Sequence, residues 1–308
     1  MSASAGIALG VQVAGVAVAP VLPGVTQSLK ARLQGRRGAG PLQPYRELRR
    51  LWRRSVVAPE GTTAVYRLAP ALAASALVVA LLAVPVAAKG VSWPVGHDAF
   101  LVVGLLALAR FAVALSAWDT GGGFGLMGAA RDTTFAVIGE ALLALVVLLA
   151  FLPAGSTDLR HMWDAAAGTG IWGEPAHWCG ALAMALVVLL ETGRQPIDNP
   201  DTHLELTMVH EGPLLEYAGR DLAFLQWTAA ARHWAVLVLG AGLFLPHPRG
   251  FWPGLAALVA GVAALAAGLA LVETWQAKMR LLRVPRLLAA ACGIALLGVA
   301  SWIAGGGA

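Results

Sequence analysis

"AFLVVGLLALARFAVALSAW", residues 99–118, carries a single charge, Arg110, in twenty positions. A bilayer core takes about 20 consecutive, mostly apolar residues per helix. The stretch has that length and reads as a membrane span. A charge at a helix centre costs about 2.5–3.5 kcal/mol even on the lenient insertion scale. Arg110 is therefore expected to face a bundle interior or water rather than lipid.

The rest of the chain has the same texture. Of 308 residues, 58% are hydrophobic and 13% charged, and mean hydropathy is +0.71. A soluble domain carries about 25% charged residues. Runs comparable to 99–118 recur at roughly 5–27, 67–88, 133–153, 175–192, 232–247, 251–272 and 287–306, giving about eight spans. The sixth is the weakest, being short and ending at Pro246 and Pro248. No two-residue alternation is present, which argues against a β-barrel. The expected fold is an all-α polytopic membrane bundle, a single integral domain over 1–308, with amphipathic or broken helices in its longer loops.

With the N-terminus outside, the inner loops are 28–67, 119–132, 193–232 and 273–286. They hold 18 of the 22 Lys and Arg residues, as the positive-inside rule requires. Both termini are then expected outside, with the large loops cytoplasmic. The first span lacks a basic flank before it and has a dense one after it, the reverse of a secretory signal, so it reads as a retained helix. The net charge of +5 reports topology and requires no nucleic acid.

Two more charges interrupt apolar runs: Glu140 in FAVIGEALLALVVLLAF and Glu191 at the end of ALAMALVVLLE. With Arg110 they are candidates for a buried proton or ion pathway, or for a structural ion pair. Glu191 also opens ETGRQPIDNPDTHLELTMVHEGPLLEYAGRD, 191–221, which gathers seven of the chain's 17 acids beside only Arg194 and Arg220. Asn199 and Pro200 predict a helix start, and a helix over 200–212 would put Asp201 and Glu205 one turn apart. Pro213 predicts a break near Gly212, and Gly219 a C-cap for a short turn over 213–218. The carboxylates alternate with Leu204, Leu206, Met208, Val209, Leu214 and Leu215. Acids held among apolar side chains are candidates for shifted pKa values. His203 and His210 stand near Glu205 and Glu211, but the HExxH spacing is absent, so no metal is expected here.

Elsewhere, Leu42, Tyr45, Leu48 and Trp52 recur at helical steps in PLQPYRELRRLWRRSV, with arginines mostly off that stripe. Such a helix lies in the membrane surface or docks on a partner. Gly254, Ala257, Gly261, Ala264 and Gly268 form a small-residue face that predicts close helix packing, within the bundle or to a partner. Cys179 and Cys292 are the only cysteines, and an iron–sulfur cluster normally needs four thiolates, so no cluster is expected in this chain.

Three segments carry a family resemblance. RQPIDNPDTHLELTMVHEGPLLEYAGRDLA (194–223) resembles the membrane-arm subunit shared by respiratory complex I (its subunit 1 family) and the membrane-bound group 4 nickel–iron hydrogenases. Its HLELTMVHE wording is similar to the hydrogenase, formate hydrogenlyase-type branch. GVTQSLKARLQGRRGAGPLQPYRELRRLWRR (24–54) resembles the first loop of that family, with its RRGxGxLQPYRE core. In MGAARDTTFAVIGEALL (127–143), Arg131 and Glu140 match the family's Arg and Glu.

The resemblance implies a non-catalytic anchor and proton-coupling subunit in a prokaryotic cytoplasmic membrane. Its partners would be soluble hydrogenase large and small subunits and antiporter-like membrane subunits. The nickel–iron centre and iron–sulfur clusters would lie in those partners. It implies a proton path through Glu140, Glu191, Asp201, Glu205, Glu211, Glu216, Arg110 and Arg131. It implies docking through loops 28–66 and 193–231, at Arg36, Arg37, Gln43, Tyr45, Arg46, Arg194, Asp198, His203, His210 and Tyr217. Two readings stay open beside it: a quinone-binding subunit of an NADH:quinone oxidoreductase-like complex, and a stand-alone proton-coupled transporter.

Overall fold

The computed structural model describes residues 3–86, 96–198, 208–246, 248 and 250–305. These form eleven α-helices, three 3₁₀ turns and no strand. The membrane-length helices are α4 (Ala64–Ala83), α5 (Ala99–Thr120), α6 (Gly123–Ala154), α9 (Gly219–Phe244), α10 (Phe251–Trp275) and α11 (Val284–Ala304). The expected first span is a bent pair instead. Helices α1 (Ala3–Val18) and α2 (Val21–Leu33) meet at 53°. Pro20 sits at the junction, where a residue without an N–H cannot continue the ladder. Helix α8 (Pro175–Glu191) has 17 residues, about 26 Å at 1.5 Å per residue. The bundle thus has six full-length apolar helices, seven with the bent pair, and the shorter α8 lies where the fifth span, 175–192, was expected. The shorter helices are α3 (Gln43–Trp52), in the first long loop, and α7 (Leu159–Ala166).

Capping fixes the ends locally. Asp98 accepts from Leu101 N at the start of α5. Thr63 caps α4, and the Asp119 carboxylate, at the far end of α5, accepts from Thr63 N, Thr63 Oγ1 and Tyr66 N. That one side chain ties two antiparallel helices at their common end. Ala69, Ala73, Ala76, Ala80 and Ala83 are buried on α4 at steps of 4, 3, 4 and 3. This small face lets α4 lie close against α5. On α10, Gly261 packs closely on Ala241 of α9 and on Leu245 just past it, whereas Gly268 has nothing within 4 Å of the place a Cβ would take.

Two expected boundaries move. Helix α6 starts ten residues before 133, and α9 starts thirteen before 232. Gly219 opens α9 and does not cap a preceding turn. The expected helix over 200–212 falls largely outside the described residues. Met208–Glu211 is irregular and Gly212–Leu214 is a 3₁₀ turn. Helix α9 lies at the centre, with a larger buried share than any other full-length span. It packs on α3, α4, α8 and α10.

A buried chain of charges as the candidate functional site

Glu191 ends α8 inside the bundle. Its Oε2 lies 2.6 Å from Arg232 Nη1 on α9 and 2.9 Å from Arg110 Nη2 on α5. The Arg232 contact is a directed hydrogen bond, whereas the Arg110 contact has ion-pair distance without hydrogen-bond alignment. Arg232 also donates to the Leu106 carbonyl at 2.6 Å. All three side chains are buried. Two guanidiniums around one carboxylate leave a net positive charge to balance, and the next residue supplies the balance: Asp132 of α6, whose Oδ2 lies 3.8 Å from Arg110 Nε.

From Asp132 the chain of charges leaves the helices. Its Oδ1 lies 3.7 Å from His210 Nε2. His210 Nδ1 lies 3.3 Å from Asp198 Oδ2, and Asp198 Oδ1 takes the Lys278 ammonium at 2.8 Å. The loop is folded to make this contact. The His210 amide also donates to Asp198, and Met279 N donates to Pro196 O, which holds the segment after α10 beside Asp198. The result runs through seven side chains: Arg232, Glu191, Arg110, Asp132, His210, Asp198 and Lys278. A second cluster lies nearby, where Glu273 of α10 receives Arg194 Nη1 at 3.2 Å and Lys30 Nζ at 3.6 Å.

Outside the spans, this geometry shifts two pKa values. Burial alone would raise Asp198. The hydrogen bond and charge of His210, with Lys278, outweigh it and hold the carboxyl well below the usual range. Burial alone would lower His210, but the Asp198 hydrogen bond and the Asp132 and Asp198 charges raise it. Opposite charges at 3–4 Å favour the ionised form of each partner.

Backbone contact places the loop. A Cβ on Gly128 of α6 would lie 2.7 Å from Gly212 Cα, and one on Gly212 would lie 2.8 Å from Gly128 Cα. Two glycines thus let the 208–214 segment lie directly on α6 beside Asp132. Farther along, Tyr217 stacks on Tyr66 with ring centroids 4.3 Å apart. Tyr217 Oη donates to Tyr66 O and Tyr66 Oη to Glu216 O, each at 2.8 Å. The clasp locks the loop's end onto α4.

The sequence-derived candidates divide accordingly. Arg110, Glu191, Asp198 and His210 come together. Glu140 lies on α6, eight residues past Asp132, half-buried and within electrostatic reach of Arg110, Glu191, Arg232 and Asp132, but outside ion-pair distance of them. Arg131 points elsewhere, donating to Met208 O at 3.4 Å. Glu211 is half-buried and Glu216 exposed. Asp201, His203 and Glu205 lie outside the described residues.

Of the residues read as docking contacts, Arg194, Asp198 and Tyr217 are buried and satisfy partners within the chain rather than offering a face. Tyr45 donates to Ala17 O, pinning α3 to the end of α1. Arg46 holds Gln43 Oε1 at 3.0 Å and Ala39 O at 2.5 Å. Arg36 and Arg37 are exposed.

Asp132, Arg232, Glu273, Lys30 and Lys278 belong to the two clusters without having been singled out in the sequence. The reason is shared by Asp132 and Arg232. Each fell at the edge of an assumed inner loop, and the structure carries both into helices.

The fold and these charges define a helical membrane protein that holds a polar axis inside its bundle and continues it into one loop. The chain belongs to the NADH dehydrogenase family, whose profile of that description matches residues 6–303. It is 34% identical over 300 residues to formate hydrogenlyase subunit 4 of Escherichia coli strain K12, covering 94% of this chain and 95% of that one. It is also 34% identical over 241 residues to hydrogenase-4 component C of the same organism, covering 78% and 75%. A chain in the structure of the membrane-bound sulfane sulfur reductase, an archaeal respiratory membrane complex, shares the fold with a TM-score of 0.81, at 19% identity, over 96% of this chain and 98% of that one.

Proposed function

We propose that this chain is the membrane-anchor and proton-coupling subunit of a multisubunit hydrogenase or formate hydrogenlyase-type oxidoreductase in a prokaryotic cytoplasmic membrane. The observation that carries the reading is the unbroken series of charges from Arg232 to Lys278. It joins a site inside the bundle to a loop, which is the path that coupling between a soluble redox module and membrane proton movement requires. The nickel–iron centre and iron–sulfur clusters would reside in the soluble partners. The relatives matched over most of their length are hydrogenase-linked, and this favours that branch over a quinone-linked or stand-alone role.

The residues divide the labour by chemistry. Arginine keeps its proton in proteins, so Arg110 and Arg232 set the local charge and carry no proton onward. Glu191, Asp132, His210 and Asp198 can change protonation, with Glu140 next along α6, about 12 Å deeper at 1.5 Å per residue. The separations of 3.7 and 3.8 Å at Asp132 are those at which a bridging water completes a contact. A charge change in the docked module would repartition the Asp198–His210–Asp132 group, and Arg110 would pass the change to Glu191 as a field.

A tagged copy isolated from native membranes tests the assignment. Co-isolation of a nickel-containing large subunit and a cluster-containing small subunit is expected. Isolation of the chain alone, or with an NADH-oxidising module and bound quinone, would overturn it.

A further inference from the structure

An apolar groove of about 310 Å³ lies between α3, α4 and α9. Leu48 and Trp52 of α3, Ala74 and Val78 of α4, and Phe224 and Trp227 of α9 line it. The Trp52 ring meets Phe224 edge-on at 5.3 Å and remains 53% exposed, forming a lip. At roughly 30 Å³ per heavy atom, the volume water takes, the groove holds about ten atoms of an alkyl chain.

Its mouth is basic. Arg67 stands seven residues before Ala74 on α4, and Arg220 four before Phe224 on α9. Those spacings put each arginine on the groove side of its helix, one or two turns toward the helix start. Arg53 directly follows Trp52. All three arginines are exposed, and among the described residues none lies within 4.0 Å of a carboxylate. Asp221 neighbours Arg220 electrostatically and tempers it.

A largely apolar slot below three guanidiniums that have no carboxylate partner among the described residues is complementary to an amphiphile with an anionic head. The geometry points to a bound anionic glycerophospholipid, with one acyl chain in the groove and its phosphate among Arg53, Arg67 and Arg220. An uncharged headgroup, such as a quinone ring or a choline zwitterion, leaves those guanidiniums without a counter-charge. A lysine or arginine near an anionic lipid surface favours binding by roughly fivefold each. The lipid would brace α3 against α4 and α9.

The test uses the full chain purified in mild detergent, stripped of native lipid and offered phosphatidylglycerol or phosphatidylcholine of identical acyl chains, with retained lipid counted by native mass spectrometry. The wild type is expected to retain one phosphatidylglycerol with at least about tenfold preference. R67Q/R220Q should lose the preference while still retaining either lipid weakly. V78F, which fills the groove from a half-buried wall position, should lose retention of both. Equal retention of the two lipids by the wild type would overturn the proposal without any variant. So would displacement of phosphatidylglycerol by an equimolar short-chain quinone.

Discussion

Glu191 shows how far a single side chain can be read before its neighbours are known. As the one acid closing an apolar run, it was legible in the sequence, and so was Arg110 within its own run. Arg232 was not, because it follows Arg220, Asp221 and Gln226 and resembles the tail of a polar loop. Yet it makes the shortest contact to Glu191, at 2.6 Å. Removing one member of a buried ion cluster leaves the others uncompensated, typically at about 3–5 kcal/mol. E191Q is therefore expected to lower the detergent-solubilised unfolding midpoint sharply, as read by tryptophan fluorescence.

His210 gives a pH-dependent prediction at the same scale. Its pKa is raised in the fold above an ordinary value of about 6.5. The stabilisation it provides is then complete below about pH 6.5 and disappears as pH rises through the raised value. Asp198 acts in the opposite sense: its contribution is present above about pH 3.9 and lost as pH falls through its lowered value. H210Q should unfold at lower temperature than wild type at pH 6 and converge with it by pH 9. An equal deficit at both pH values would show that protonation plays no part.

Among the elements, apolar length was the readable signal and polar helix ends were not. Helices α4, α5, α10 and α11 lie near their expected positions because each is a continuous apolar run. Helices α6 and α9 begin ten and thirteen residues early, since charged residues interrupt their apolar pattern: Asp132 in α6 and Arg232 in α9 are buried against protein, and Arg220 near the start of α9 is exposed. Mean hydropathy over the 18-residue apolar window of α9 is only 1.2, the lowest among the spans, although more of it is buried. Helix α3 forms where the periodicity placed it, but its buried leucine is Leu51, off the expected stripe, while Leu42 and Trp52 of that stripe are exposed.

The seat of the loop on α6 depends on glycine at 128, where a Cβ would come within 2.7 Å of Gly212 Cα. Backbone cannot yield as a side-chain tip does, and overpacking of this kind costs about 1–3 kcal/mol. G128A should therefore displace the 208–214 segment and raise its hydrogen exchange, with α10 and α11 unaffected. Unchanged exchange would mean that the contact does not position the loop.

For the whole molecule, apolar composition and the length of the apolar runs settled the all-α membrane class, and spacing gave no account of how the charges meet. The polar axis gathers residues 110, 132, 191, 198, 210, 232 and 278 from three membrane-length helices, α8 and two loop segments. Only packing brings them into sequence. In the proposed coupling role, that axis carries charge between a soluble module and the bilayer interior. Asp132 is the group that bridges helix and loop, so D132N interrupts the axis at its narrowest point. The decisive quantity is the number of protons moved per two-electron turnover by the intact complex in sealed proteoliposomes, wild type against D132N. Near-normal hydrogen evolution by the soluble module, with proton movement reduced at least tenfold, is expected of the variant. An assembled D132N complex moving as many protons per turnover as wild type would rule out the axis as the coupling path.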